Sequence, residues 1–311
     1  MAARVAVCFA AGLNVYATVA APGPGATQTR PEATSLLGQP LVSPAIPDAA
    51  RVKMEAQLAE AREAWKKAPG DAGAIIWLGR RTAYLGRFRE AIDIFSDGIA
   101  KHPGDARFYR HRGHRYITVR ELDRAIADLE RAASLVKGRP DEVEPDGQPN
   151  ARNIPTSTLQ SNIWYHLALA RYLKGEFGVA ASAWASARDV GRTPDNLVSA
   201  SHWLYLSLRR AGRAADAEAV LTPIRVDLDV IENGSYHSLL LMYKGERTPE
   251  DVLASAPEGP GGSAVRYGVG AWFLVNGKTA DATRLFQSIA SQSDWPSFGF
   301  IAAEAELARG R

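Results

Sequence analysis

The sequence predicts an all-α solenoid built from about six antiparallel helix pairs. Three observations predict it. Apolar residues recur at helical spacing over most of the chain, a pattern of small and apolar residues repeats every 34 positions, and glycines stand where successive helices have to stop. With 311 residues, 46% of them hydrophobic, the chain is long enough to bury a large core.

The first 20 residues are typical of a signal peptide. Arg4 precedes an apolar run that ends in small residues, and cleavage is expected after Ala20. We therefore expect an exported bacterial protein, periplasmic or secreted, and a cytoplasmic protein with an N-terminal tail is the alternative. No later run approaches the roughly 20 apolar residues that a membrane span requires.

The charge and the cysteine content exclude several classes of protein. The net charge of +3 is a mild basic excess, without the clustered Lys and Arg of a dedicated nucleic-acid binder. Cys8 is the only cysteine, so no intramolecular disulfide and no cysteine-based zinc site can form.

Residues 21–49 contain six prolines and no helical period, so we expect a flexible, partly extended tether. The repeats follow it. Copies of one pattern lie 34 positions apart, with Leu78-Gly79, Leu85-Gly86, Phe88, Ala91 and Phe95 followed by Arg112-Gly113, Val119-Arg120, Leu122, Ala125 and Leu129.

Two glycines lie inside predicted helices. Gly79 and Gly113 each cost roughly 1 kcal/mol relative to alanine, so a close helix crossing is expected there, with Ala91 and Ala125 as the partners. A second set of glycines stands at the ends of the first helices, where a left-handed cap would let the chain reverse. These are Gly86, Gly175, Gly212 and Gly277.

The pattern resembles that of the tetratricopeptide repeat family, which has Leu-Gly in the first helix, Ala-x3-Phe in the second and a proline after it. The copies recur over most of the chain. The resemblance implies a right-handed TPR-like superhelix of about six pairs whose first helices line a concave binding surface. It implies little about the ligand.

The repeat domain is expected over residues 50–308. Its helix pairs are expected at about 72–105, 106–137, 161–194, 198–230, 231–257 (degenerate, with a shortened second helix) and 263–294. An inserted loop covers 136–158, and long loops of this kind are often functional or disordered. A capping helix over 297–308 is expected to cover the last pair with Phe298, Ile301 and Leu307.

The concave surface is predicted from the repeat register. Residues one place beyond the packed face of each first helix are rotated by about 100° and should point into the groove. The resulting surface is basic, aromatic and histidine-bearing, which suits a ligand with carboxylates or phosphates and some apolar surface. The candidate residues are Arg80, Tyr84, Arg107, Arg110, His114, Tyr165, Tyr172, His202, Arg209 and Tyr243.

Other interpretations of these residues stay open. His111 and His114 could form a metal site at i, i+3, but the surrounding arginines disfavour a cation. Arginines and aromatics also bind nucleic acid, although acidic residues follow directly. The arginines could simply cover apolar helix surface and pair with carboxylates. No cofactor is expected.

No phosphate loop, nucleophile elbow, HExxH motif or dinucleotide-binding motif is present. We therefore predict a non-enzymatic interaction module or scaffold that binds an acidic peptide or protein segment. Binding should weaken with salt, and above pH ~6.5 if His114 or His202 must be charged. An enzyme or small-ligand binder with His114, His202 and an acid such as Glu232 in the groove is the alternative.

Overall fold

The computed structural model describes residues 31–310. The predicted signal peptide and the first part of the tether lie outside the described residues, so export stays a prediction. The described part holds fourteen helices: α1 (Asp48–Lys67), α2 (Ala72–Tyr84), α3 (Phe88–Lys101), α4 (Ala106–Thr118), α5 (Leu122–Val136), α6 (Leu159–Leu173), α7 (Phe177–Val190), α8 (Pro194–Arg210), α9 (Ala214–Val220), α10 (Gly234–Tyr243), α11 (Pro249–Ala254), α12 (Pro260–Val275), α13 (Thr279–Ala290) and α14 (Phe298–Arg309). Two short strands, β1 (Ala33–Thr34) and β2 (Pro40–Leu41), form an antiparallel hairpin.

The all-α fold of successive helix pairs is confirmed. Helices α2 to α13 form six consecutive pairs, and each first helix also contacts the first helix of the next pair. The degenerate fifth pair has a ten-residue first helix and a six-residue second helix. Among the described helices, none is long and apolar enough to cross a membrane.

The close helix crossings lie where the sequence predicts them, but the partners differ. A side chain at Gly79 would meet the ring of Phe95, and one at Gly113 would overlap Leu129. Ala91 and Ala125 are fully buried beside these contacts. The large residue at the end of Ala-x3-Phe, rather than the alanine, therefore fills the space that each glycine leaves.

The turn glycines adopt the expected left-handed backbone, with φ between 74° and 83° at positions 86, 175, 212 and 277. The second pair departs from this pattern because Arg120 occupies the equivalent position with φ of 66°. Such a conformation costs a non-glycine residue roughly 1–2 kcal/mol. Tertiary contacts hold Arg120 there, since its Nε donates to Glu304 Oε2 at 2.9 Å and its Nη2 donates to the Trp295 carbonyl at 2.9 Å.

The described part of the tether packs against the repeats, so the expectation of a flexible segment is wrong for residues 31–47. Ala33 and Leu41 are buried, and the Ser43 hydroxyl donates to the Gly86 carbonyl at 2.9 Å. Helix α1 follows and packs on α2. The sequence did not reveal this 20-residue helix because only Leu58 and Ala61 on it are buried, which leaves a weak apolar period.

The last helix, α14, covers more than the last pair. It packs on α12 and α13 and also contacts α6, where Arg309 Nη1 donates to the Leu173 carbonyl at 2.8 Å. The buried Arg120–Glu304 ion pair ties α14 to the end of α4. Helix α14 therefore bridges α12 and α6 and lies against the end of α4.

Candidate functional site

Three adjoining cavities are lined mainly by first helices, the inserted loop and the start of α14, and we call them together the channel. The arginine pocket, of about 120 Å³, is lined by Arg80, Ala83, Tyr84, Phe95, Arg110, His111, His114, Arg115 and Glu144. The central cavity, of about 390 Å³, shares Arg110 and His114 with it. The outer cavity, of about 550 Å³, shares Glu232, Asn233, Tyr236 and Phe298 with the central cavity.

Arg110 is the buried cation of the arginine pocket. Its Nε lies 2.9 Å from Glu144 Oε2, although the N–H is not aimed for a well-formed hydrogen bond. Its Nη1 donates to His111 Nδ1 at 3.0 Å, so that nitrogen carries no proton. Arg110 is therefore paired with the one carboxylate that lines this pocket.

Arg80 and Arg115 complete the positive charge of this pocket. Arg80 Nη1 donates to the Pro145 carbonyl at 2.8 Å, and Arg80 Nη2 donates to the Tyr84 hydroxyl at 3.3 Å. The half-buried Arg115 guanidinium lies 5.6 Å above the Phe88 ring. Within residues 31–310, neither arginine forms an ion pair with a carboxylate. Burial is the main cause that lowers the pKa of Arg115 to about 10, and the neighbouring charges of Arg110 and Arg80 act in the same direction.

The histidines beside the pocket are neutral at neutral pH. Burial lowers the pKa of His111, His114 and His166 well below the usual value, and nearby arginine charges lower it further. The rings of His114 and His166 lie 4.3 Å apart. Burial therefore argues against the expectation that binding weakens above pH ~6.5 through a charged His114. In the described residues, no group of three or more His, Cys, Asp or Glu side chains is placed to hold a metal ion.

Aromatic groups surround the central cavity. The Phe298 ring at the start of α14 lies 5.4 Å from the His114 ring and 6.1 Å from the Tyr165 ring. The Tyr165 hydroxyl is 3.3 Å from that of Tyr236. Asn196 Oδ1 is buried without a hydrogen-bond partner in the described residues. This cavity therefore combines aromatic rings with many polar side chains, so it offers both stacking surface and hydrogen-bonding groups.

The inserted loop forms one wall of the channel. Glu232 accepts hydrogen bonds from Asn150 Nδ2 at 2.7 Å and from the Thr156 hydroxyl at 2.8 Å. The turn that carries Glu232 is itself fixed, because the buried Asp195 carboxylate accepts the backbone N–H groups of residues 231–233. A side chain at Gly147 would overlap the Tyr84 hydroxyl, so glycine allows the loop to approach α2 closely.

The structure places half of the predicted groove residues in the channel. Those five are Arg80, Tyr84, Arg110, His114 and Tyr165. Arg107 instead pairs with Asp105 at the start of α4, at 2.6 Å. Arg209 donates to the Tyr205 hydroxyl at 2.7 Å and to the Val275 carbonyl at 3.1 Å. These two arginines are corrections to the predicted groove, because local partners hold both outside the channel.

The other three predicted residues, Tyr172, His202 and Tyr243, belong to a buried group that we call the aromatic cluster. Its members are Tyr172, His202, Trp203, Tyr236, Tyr243 and Tyr267. Trp203 stacks on Tyr267 with ring centroids 5.5 Å apart, and the Tyr172 and Tyr267 hydroxyls are 2.7 Å apart. Here α8 contacts both α10 and α12 directly, so the predicted groove positions fall in the core.

His202 is therefore unsuited to the role that the enzyme interpretation gave it. It is 0% exposed, its Nδ1 is 3.1 Å from the Tyr243 hydroxyl, and burial lowers its pKa to about 3. His114 and Glu232 both line the central cavity, but His202 does not. The predicted grouping of these three side chains is not formed.

Sequence reasoning missed Arg115, Glu144 and Phe298. Arg115 follows His111 by four residues and so shares its helix face, which is the signal that could have indicated it. Glu144 and Phe298 lie outside the repeats, on the inserted loop and at the start of α14. No repeat register extends to either of them.

Comparison with known proteins adds a likeness to helical-repeat structures. No family model matches the sequence. No curated protein matches it either. Similar solved structures include YrrB, described as a TPR protein with an unusual peptide-binding site (13% identity, 73% of this chain and 97% of that chain, TM-score 0.41). The structure of Naa15/Naa10 bound to HypK-THB is also similar (17% identity, 80% of this chain and 36% of that chain, TM-score 0.37). A third is the TPR domain of P58(IPK) (12% identity, 84% of this chain and 94% of that chain, TM-score 0.25). The fold assignment rests on the helix pairs described above.

Proposed function

We propose that this protein is a non-enzymatic interaction module that holds a short acidic peptide or protein segment in the channel. One observation carries the proposal. The arginine pocket is lined by three arginines and a single carboxylate, and it opens beside a cavity rich in aromatic side chains.

The charge supports an acidic ligand. Arg80 and Arg115 have no carboxylate partner among residues 31–310, and both are partly buried. A charge-assisted hydrogen bond to a ligand carboxylate in such a place contributes roughly 1.5–3 kcal/mol. Two such contacts with one aromatic anchor are enough for micromolar binding after the entropic cost of association.

The shape supports a short segment over a long one. Helix α14 and the inserted loop divide the concave side into cavities of about 120, 390 and 550 Å³. Phe298 stands between the two larger cavities and lines both. An extended peptide spanning all the first helices would collide with α14, whereas a segment of a few residues fits.

Selection from a random peptide library tests this proposal. We expect the wild-type protein to enrich Asp and Glu in the selected peptides at low salt, with weaker retention at high salt because the contacts are electrostatic. The Arg80→Gln/Arg115→Gln variant should lose the acidic enrichment.

The matched control for this selection is Arg124→Gln on α5. Arg124 pairs with Glu121 on the exposed face of its helix and lies outside the channel. This variant removes one positive charge while leaving the site intact. Selection without acidic enrichment, or equal enrichment by the Arg80→Gln/Arg115→Gln variant, would contradict the proposed function.

A further inference from the structure

The arginine pocket has more positive charge than its own lining neutralises. Arg80, Arg110 and Arg115 line it, and Glu144 is its one lining carboxylate. Asp146, further along the loop, interacts with Arg80 electrostatically but does not line the pocket. With the neighbouring histidines neutral, the pocket carries a net charge of about +2.

Some hydrogen-bond donors of this pocket have no acceptor in the described part of the protein. Arg115 makes no side-chain hydrogen bond within residues 31–310, and its guanidinium is held between the Phe88 ring and the pocket. Arg80 is positioned by neutral oxygens, those of Pro145 and Tyr84. A partly buried guanidinium normally finds a carboxylate or phosphate, because leaving it unpaired is costly.

The size of the pocket limits what can bind there. A volume of about 120 Å³ corresponds to roughly four water molecules. That space admits one compact oxyanion. A ligand group in the pocket can continue into the central cavity, because Arg110 and His114 line both.

We propose that the arginine pocket binds one dianionic oxyanion of the phosphate class, either inorganic phosphate or the phosphoryl group of a monoester. Arg115 supplies donors that the described residues leave free, and Arg80 adds a positive charge without a carboxylate partner. The net charge of the pocket matches a dianion better than a single carboxylate. The assignment rests on the proposed function in one respect, because the pocket is one end of the same channel.

Glu144 supplies the carboxylate with which a bound anion would compete for the arginines of this pocket. Its carboxylate already occupies Arg110, and it comes from the inserted loop rather than from a repeat helix. Replacing it with glutamine removes one negative charge from the lining while keeping the shape. Anion binding should therefore tighten in Glu144→Gln, which a purely structural role for the arginines does not predict.

Titration calorimetry and phosphorus NMR on the full chain at constant ionic strength test the proposal. The probes are inorganic phosphate, phosphoserine, serine and acetate. We expect phosphate or phosphoserine to bind in preference to acetate, with no binding of serine. Arg115→Gln should weaken binding by about 10- to 100-fold, since a charge-assisted contact is lost. Glu144→Gln should tighten it by roughly tenfold.

The two sources of the phosphoryl group are separated by the same titrations. Tighter binding of phosphoserine than of phosphate indicates a monoester whose remainder enters the central cavity, and binding of phosphate alone indicates the free ion. Arg124→Gln is the control and should leave the affinity within about twofold of wild type.

Three results would overturn the assignment. The first is that neither phosphate nor phosphoserine binds. The second is that the folded Arg115→Gln variant binds phosphate as tightly as wild type, and the third is that Glu144→Gln does not bind it more tightly. If acidic peptides bind while phosphate neither binds nor competes with them, the proposed function stands and the phosphate assignment of the arginine pocket fails. Phosphate binding without selection of acidic peptides leaves the pocket standing and removes the proposed function.

Discussion

The arginine pocket and the aromatic cluster occupy corresponding places in the repeat, yet one is an open site and the other is sealed core. Arg110 and His114 on α4 were predicted to face the groove by the same offset from the packed helix face that predicted Tyr172 on α6 and His202 on α8. The N-terminal residues line cavities, whereas Tyr172 and His202 are 0% exposed.

What lies opposite each first helix accounts for this difference. In front of α2 and α4 stands the inserted loop, which contributes Glu144 and Pro145 and leaves a space between them. In front of α8 stand α10 and α12, which pack on it directly. The repeat register therefore sets the direction of a side chain, while the elements packed opposite decide whether it faces solvent, a ligand or the core.

The largest effect on stability should come from the aromatic cluster. Trp203 is 0% exposed and contacts the rings of Tyr172, Trp184 and Tyr267. Trp203→Ala should lower the free energy of unfolding by about 3–5 kcal/mol, measured by urea denaturation. Trp77→Ala on α2 is the control, and it should cost clearly less because the Trp77 ring is only half-buried. Equal losses would mean that the two regions are packed alike.

A comparable loss is expected at the ion pair that holds α14 over the channel. Arg120→Ala leaves the Glu304 carboxylate buried, with its side chain 2% exposed in the wild type, and should cost about 3–5 kcal/mol in urea denaturation. The double variant Arg120→Met/Glu304→Met removes both charges and should lose much less than the single variant. A double variant as unstable as Arg120→Ala would show that the loss does not come from an unpaired buried charge.

An intermediate effect should appear as a pH dependence from the aromatic cluster. Folded His202 stays neutral because burial lowers its pKa to about 3, while the unfolded residue titrates near ~6.5. The unfolded state thus binds more protons below pH ~6.5, so stability is complete above that pH and falls as the pH decreases. Replacing His202 with Phe should flatten the decline between pH 6.5 and 5 by about 1.4 kcal/mol per pH unit.

The control for this slope is Tyr243→Phe, which removes the hydroxyl beside His202 and keeps the imidazole. Unfolding free energies measured across that pH range should decline in Tyr243→Phe as in wild type. An unchanged slope in His202→Phe would mean that the imidazole is accessible to protons in the folded state.

The smallest effect on stability is expected at the arginine pocket. Arg115 makes no ion pair within residues 31–310, so Arg115→Gln should change the free energy of unfolding by no more than about 0.5 kcal/mol, or raise it. Thermal and urea denaturation in phosphate-free buffer measure this. A loss above about 1 kcal/mol would show that Arg115 serves the fold rather than a ligand.

Sequence reasoning goes furthest where the repeat is regular. The close crossings at Gly79 and Gly113 and the turn at Gly86 follow from helix period and glycine chemistry, so the pairs could be predicted, although the residues that meet the two glycines could not. Arg80 and Arg110 were found for the same reason. The closure of the channel could not be predicted, because Glu144 lies in a loop without a period and the helix that carries Phe298 was expected to cover only the last pair.

The burial of the predicted groove positions around His202 could not be deduced from the repeat register either. The repeat register alone does not separate His202 from His114, since both stand on the predicted groove side of a first helix. Their environments diverge through the packing of α8 against α12, a contact between residues far apart in the chain. Burial of that kind depends on how successive pairs curve together.

Site-specific photo-crosslinking at position 298 tests the central claim most directly. With Phe298 replaced by p-benzoylphenylalanine, a peptide selected for acidic residues should crosslink there, and Arg115→Gln should abolish the product. The same replacement of Trp272, which lines a surface cavity outside the channel, should give no product. Binding of the peptide with crosslinking at 272 and none at 298 would contradict the account, because the ligand would then lie outside the channel.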